Sequence, residues 1–283
     1  MIKNILKGVV VGIANVIPGV SGGTMMVSMG IYDALIHSIT HLFKEFKKSI
    51  AILAPILIGA ALGVVGLAAV IEKMFEFIPI QTNLLFIGLI LGGLPAMTSK
   101  VKGEKIKPGH IMAFLLFFAV VVGSAALGST EGNAADLSLN IISIVKLFFV
   151  GIVASATMVI PGVSGSMMLM LMGYYNPILE TINSFIKSAL AFDFAGIWSG
   201  FCVLCPFGIG VVIGIFAIAK LVEIIFEKFP LYAYWAIIGL IVASPFAIVL
   251  MNLGIFGGLN IVSVLTSVVT FAVGFFIARK LGD

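Results

Sequence analysis

Eight apolar stretches run through this chain, and two of them are broken in the middle in the same way. Six are continuous, at about 50–71, 80–98, 109–128, 201–222, 231–251 and 260–279. Each is close to the ~20 residues that an α-helix needs to cross a bilayer. The other two, about 5–39 and 141–184, are longer. They carry NVIPGVSGGTMM at Asn15–Met26 and MVIPGVSGSMML at Met158–Leu169. Proline lacks the backbone donor a helix interior needs, and glycine gives the chain freedom to turn. Neither stretch can therefore be one uninterrupted helix. With 61% hydrophobic and 10% charged residues, 283 residues cannot form a soluble core, so the chain is an all-α integral membrane protein.

The two broken stretches are copies. At an offset of 143, Ile17–Gly30 falls on Ile160–Gly173, with nine of 14 pairs identical. Beyond that the offset becomes 151 and pairs Pro55 with Pro206, Gly59 with Gly210, Glu72 with Glu223, Pro79 with Pro230 and Gly88 with Gly239. A run of matches at constant offset marks an internal duplication. We take residues 1–140 as the first repeat and 141–283 as the second.

Charge placement decides how the broken stretches lie. If each crossed the membrane, the 16 basic residues would divide evenly, eight on each side. If each is a re-entrant hairpin, 13 are cytoplasmic, among them Lys3, Lys47, Lys102, Lys220 and Arg279. Only Lys73, Lys146 and Lys187 then lie outside, as the positive-inside rule requires. Residues 8–17 make about 15 Å of helix, half of a core about 30 Å thick. The predicted fold is six transmembrane helices plus two re-entrant helical hairpins, at 5–39 and 141–184, in an inverted-topology repeat. Both termini are expected in the cytoplasm. Secondary transporters share this plan, with the site at the midplane where broken helices meet.

The tips carry the chemistry. Pro18 ends the first arm, and Gly19, Gly22 and Gly23 allow a turn and close backbone approach. A new helix should start near Ser21–Thr24, whose hydroxyls are suited to cap it. Its first N–H groups lack intrahelical partners and carry the positive end of the dipole, a setting for phosphate or carboxylate. Pro161, Gly162, Ser164, Gly165 and Ser166 repeat the device, and Asn15 precedes the first break. In hydrocarbon such irregular backbone persists only where protein, water or ligand satisfies it. The plainer alternative is a pair of packing kinks.

Other residues suggest less. Asp33, matched to Asn176, is a candidate for gating or coupling. Glu72, Glu76, Glu223 and Glu227 lie at span ends, and His37, His41 and His110 near cytoplasmic segment ends, where solvated side chains are expected. Cys202 and Cys205 sit in an apolar run and read as packing residues. No residue cluster asks for a cofactor or a metal. The net charge of +4 is a matter of membrane orientation and implies no nucleic-acid partner. Oligomeric state has no signature here.

The stretches GIANVIPGVSGGT and VIPGVSGS give the chain a family likeness. From about Lys3 to Lys280 it resembles the PopT polyprenyl-phosphate transporter family, formerly a domain of unknown function. That resemblance implies a multi-pass protein of a prokaryotic plasma membrane. It implies a flippase that moves undecaprenyl phosphate, or a similar lipid, from the outer to the inner leaflet for reuse in cell-wall synthesis. The residues alone reach only an anion or anionic head group at the midplane, so a small-anion transporter or channel stays open. A lipid phosphatase is disfavoured: Arg279 is the sole arginine, and no histidine lies near either tip in the sequence.

Overall fold

The computed structural model describes residues 1–16, 21–126, 135–138, 140–162, 164–258 and 260–282. Every regular element among them is helical. In chain order these are α1 (Ile2–Val16), α2 (Gly22–Ser28), α3 (Tyr32–Thr40), α4 (Phe46–Phe77), α5 (Pro79–Gly92), α6 (Leu94–Ser99) and α7 (Pro108–Ala126). There follow α8 (Ile141–Val159), α9 (Gly165–Leu171), α10 (Tyr175–Leu190), α11 (Phe194–Lys228), α12 (Pro230–Met251), a 3-10 turn at Leu253–Gly258 and α13 (Ile261–Gly282).

Seven runs among the described residues are long and apolar enough to cross a membrane. Six correspond to the continuous stretches of the sequence. The seventh is α8, the first arm of the hairpin expected at 141–184. Its 19 residues make about 28 Å of helix, close to a full bilayer core. α1, at 15 residues, is shorter.

The chain divides into two compact units, Met1–Gly128 with Pro161–Val163 and Ala219–Asp283, and Ser129–Ile160 with Ser164–Ile218. In the first, α1 lies along α4 with glycines at the contact. A Cβ on Gly8 would strike the carbonyl of Ile56, and one on Gly59 that of Ile5. Close backbone approach of this kind is how helices associate where lipid offers no hydrophobic drive. α5 packs on α13 and α12 on α7, so each pair joins a helix of the first half of the sequence to one of the second. Gly88 faces the carbonyl of Phe271 and Gly274 that of Leu85. Gln81 Nε2 donates to Thr266 Oγ1 at 2.9 Å, and Thr270 Oγ1 donates to the Gln81 carbonyl at 2.9 Å. The α12–α7 contact is aromatic instead, with Phe114 edge-on to Trp235 and Phe118 edge-on to Phe246. α5 and α12 are the interior helices: 61% and 50% of their spanning windows are buried, against 17% for α7 and for α13. On α7 and α13, Leu115, Leu116, Leu265, Val268 and Phe276 stay exposed, as a bilayer permits and water would not.

In the second unit, Val150, Ala154, Leu169 and Ile178 form a core that packs with Leu204 and Phe207. Gly151 faces the Phe207 carbonyl and Gly210 that of Phe148. These are the Gly8–Ile56 and Gly59–Ile5 contacts of the first unit, carried forward by the 143 and 151 offsets of the sequence.

Candidate functional site

The first tip is built where α1 gives way to α2. Pro18 and Gly19, with Ile17 and Val20, lie outside the described residues, as does Val163 in the second motif. The chain resumes at Ser21, the residue preceding α2, in extended conformation at φ −92°, ψ 129°. Its hydroxyl makes no capping bond, so the capping expected from the sequence is not formed by that side chain. Ser21, Gly22, Gly23 and Thr24 are all buried. Asn15, exposed at the end of α1, lies across the start of α2: a Cβ on Gly22 would come within 2.6 Å of Asn15 Nδ2. That amide also donates to the Val11 carbonyl at 3.0 Å, which fixes its orientation.

α2 closes on Gly30, whose φ of +63° only glycine adopts readily. Gly30 N–H donates to the Val27 carbonyl and Ile31 N–H to that of Met26, a Schellman closure. Ser28 Oγ, fully buried, donates to the Ile90 carbonyl at 3.1 Å and anchors α2 to α5.

The two signature motifs touch inside the first unit. The Gly162 amide donates to Thr24 Oγ1 at 2.8 Å, and Thr24 has no exposed surface. Gly162 sits at φ +82°, and a Cβ there would lie 2.8 Å from Val121 and 3.0 Å from Leu240. Its neighbour Pro161 is buried.

In the second unit the tip repeats the first in backbone. Ser164 precedes α9 at φ −95°, ψ 125°, and Gly173, at φ +77°, closes it through the same pair of bonds. The side chains differ. Ser164 Oγ and Ser166 Oγ share a hydrogen bond of 2.8 Å and are half-buried. A Cβ on Gly165 would lie 2.5 Å from Met158 Cγ. Both helix starts present backbone N–H groups that the helix does not satisfy, donors suited to an anion without a formal protein charge. α2 and α9 have seven residues each, so those donors are better counted as individual groups than as a long-helix dipole.

Asp33, at the start of α3, lines a cavity of about 290 Å³ with Ile36, His37, Glu223, Phe226, Glu227 and Tyr234. The residue is exposed overall, yet partial loss of hydration pushes its carboxyl above the usual range, with Lys100 pulling the other way. Two sequence expectations are corrected here. Glu223 is not solvated but buried, held by Lys220 and Thr40. His110 is also buried, edge-on to Tyr232 with ring centres 4.7 Å apart. Glu72, Glu76 and Glu227 are exposed as expected. Cys202 and Cys205 are free and half-buried.

Comparison with known proteins gives the chain a family. The model of the undecaprenyl phosphate translocase-like family matches residues 11–257. The chain is 33% identical over 285 residues to a polyprenyl-phosphate transporter of Staphylococcus aureus (strain NCTC 8325 / PS 47), covering 99% of this chain and 95% of that one. It is 30% identical over 194 residues to a polyprenyl-phosphate transporter of Vibrio cholerae serotype O1, covering 64% of this chain and 60% of that one. No solved structure matches. With the family model spanning both signature motifs and a bacterial relative aligned end to end, the chain belongs to the undecaprenyl phosphate translocase-like family.

Proposed function

We propose that this protein carries a polyprenyl phosphate, of the undecaprenyl phosphate type, across the bacterial plasma membrane toward the cytoplasmic leaflet. Phosphate-binding groups are the N–H groups that open α2, with Asn15, Ser21, Gly22, Gly23 and Thr24 beside them, and, in the other unit, those that open α9, with Ser164, Gly165 and Ser166. Pro18, Gly19, Pro161 and Gly162 shape the two turns. The isoprenoid tail stays in the bilayer while the head group crosses. The two repeats, 1–140 and 141–283, enter the membrane from opposite faces as re-entrant hairpins, and their rocking alternates access. Asp33 serves gating or coupling.

The observation that carries this reading is the hydrogen bond from the Gly162 amide to the buried Thr24 hydroxyl. Within the first unit it ties the Pro-Gly turn of the second signature motif to the helix start of the first. The names of the relatives supply the lipid. Transport rather than hydrolysis fits side chains at the tips that include no base or nucleophile stronger than a hydroxyl.

The test is a proteoliposome assay. Labelled polyprenyl phosphate should pass between leaflets in the presence of the protein, and excess inorganic phosphate or chloride should not compete. Free phosphate should not be released. Efficient competition by inorganic anions would favour an ion pathway; sustained phosphate release would favour an enzyme. Topology is tested separately. A single cysteine at Lys47 or Lys102 should react only from the cytoplasm, and one at Lys187 only from outside. External labelling at Lys47 would sink the re-entrant, inverted arrangement.

A further inference from the structure

α3 presents His37 and His41, one turn apart, on the same side of the helix. Their rings stack with centres 4.2 Å apart. Both turn Nδ1 toward one oxygen of Glu223, Oε1, at 3.5 Å from His37 and 3.2 Å from His41. The same oxygen accepts from Thr40 Oγ1 at 2.8 Å, and the other, Oε2, takes the Lys220 ammonium at 2.6 Å. All of these residues belong to the first compact unit. A stacked histidine pair needs no shared acceptor, and this acceptor already has a hydroxyl donor. His41 Nδ1 also lies 3.0 Å from Thr40 Oγ1 and 3.3 Å from the His37 carbonyl, and two imidazole nitrogens gathered this closely beside a carboxylate oxygen can share one cation between them.

We propose that His37, His41 and Glu223 bind a borderline divalent cation of the Zn²⁺ class. The three ligand atoms lie within 4.8 Å of one another. With metal–nitrogen and metal–oxygen distances of about 2.0–2.1 Å, adjacent ligands of a tetrahedral ion are about 3.3 Å apart. The two nitrogen–oxygen separations straddle that edge. Two imidazoles and a carboxylate are a donor set suited to Zn²⁺ and leave a fourth position open. The side chain of His37 is 56% exposed, which gives an ion access from solvent, while that of Glu223 is only 8% exposed. A second observation points the same way. The cavity beside the cluster adds the carboxylates of Asp33 and Glu227 to Glu223 and His37, with Lys220 paired to Glu223 and Lys100 acting on Asp33. Thr40 and Lys220 orient the Glu223 carboxylate, the part that outer partners play around a metal. The second repeat has no equivalent: Glu180 and Ser184 stand 143 residues after His37 and His41. The site would fasten α3, directly after the first tip, to α11.

The test uses the full chain in detergent, without a polyhistidine tag, titrated with Zn²⁺ and with Co²⁺ as a spectroscopic substitute. About one ion should bind per chain, and Co²⁺ should give visible absorption of a four-coordinate centre. His37→Ala, His41→Ala and Glu223→Gln should each lower affinity by more than the ~10–100-fold typical of losing an outer partner. Thr40→Val should fall within that range. Glu180→Gln, an exposed carboxylate elsewhere, should change nothing. His37 is exposed, so its variant keeps the measurement meaningful if Glu223→Gln folds poorly. Wild-type protein that binds either ion no more tightly than a well-folded His37→Ala/His41→Ala double variant would reduce the cluster to a hydrogen-bonded ion pair.

Discussion

In the first tip an amide, Asn15, lies across the opening glycine of α2. In the second a thioether, Met158, lies across the opening glycine of α9, 143 residues later. Thr24, buried and bonded to Gly162, is matched in sequence by Met167, and buried Ser21 by half-buried Ser164. Yet the residue before each helix adopts the same dihedral angles within a few degrees, and each helix closes with the same pair of bonds over a left-handed glycine. Both copies keep the backbone and differ in the side chains. The property common to the tips is therefore a set of main-chain donors in a fixed orientation. Side chains tune each copy separately.

The largest effects should come from adding bulk where both copies have none. Gly22→Val and Gly165→Val should each bring leaflet-to-leaflet transport to background at normal expression. A side chain at Gly22 also collides with Asn15, so Gly22→Ala/Asn15→Ala separates the two causes. The double variant should stay impaired; full recovery would show that the glycine only makes room for the amide.

Next comes the bond that belongs to one copy alone. Thr24→Val keeps the shape but strands the Gly162 amide, which should cost about 1–3 kcal/mol of stability. Thermal unfolding in detergent should show the loss, and Thr24→Ser should restore most of it. An unchanged melting temperature in Thr24→Val would mean that the Gly162 amide is satisfied without this hydroxyl.

The amide and the thioether give a smaller, unequal pair. Asn15→Ala should weaken binding of a short-chain polyprenyl phosphate about five-fold, equivalent to one lost hydrogen bond of about 1 kcal/mol. Met158→Ala should change it less than two-fold. Equal losses would erase the asymmetry between the tips. The smallest effect is expected from Ser21→Ala and Ser164→Ala, since neither hydroxyl caps its helix; each should cost two- to three-fold at most. A ten-fold loss in either would move the ligand contact from main chain to hydroxyl.

Much of this is legible in the sequence. Pro and Gly at known offsets mark the breaks, because their effect on the backbone is local. The duplication is a matter of counting, and the six continuous spans follow from composition and length. The partners of those spans were not legible. Pairing α5 with α13 depends on Gly88, Gly274, Gln81 and Thr266, and nothing near any of these residues names the other helix. Capping failed as an expectation for a related reason. A hydroxyl at Ser21 is suited to a cap, but burial gives it other company. The His37–His41–Glu223 cluster left one trace, two histidines at helical spacing. The carboxylate that completes it is 183 residues from the intervening Thr40. A charge at a span end reads as solvated unless its distant donors are known.

The α5–α13 pairing bears on how the protein is made. At about 5–20 residues per second, a ribosome that has finished α5 needs roughly ten seconds to more than half a minute to deliver α13. Through that interval Gly88 faces no partner helix, and Gln81 lacks the hydroxyl of Thr266. α7 waits in the same way for α12. The nascent chain therefore spends its synthesis with half-finished helix pairs in the bilayer, and its last helix completes the interior of its first half.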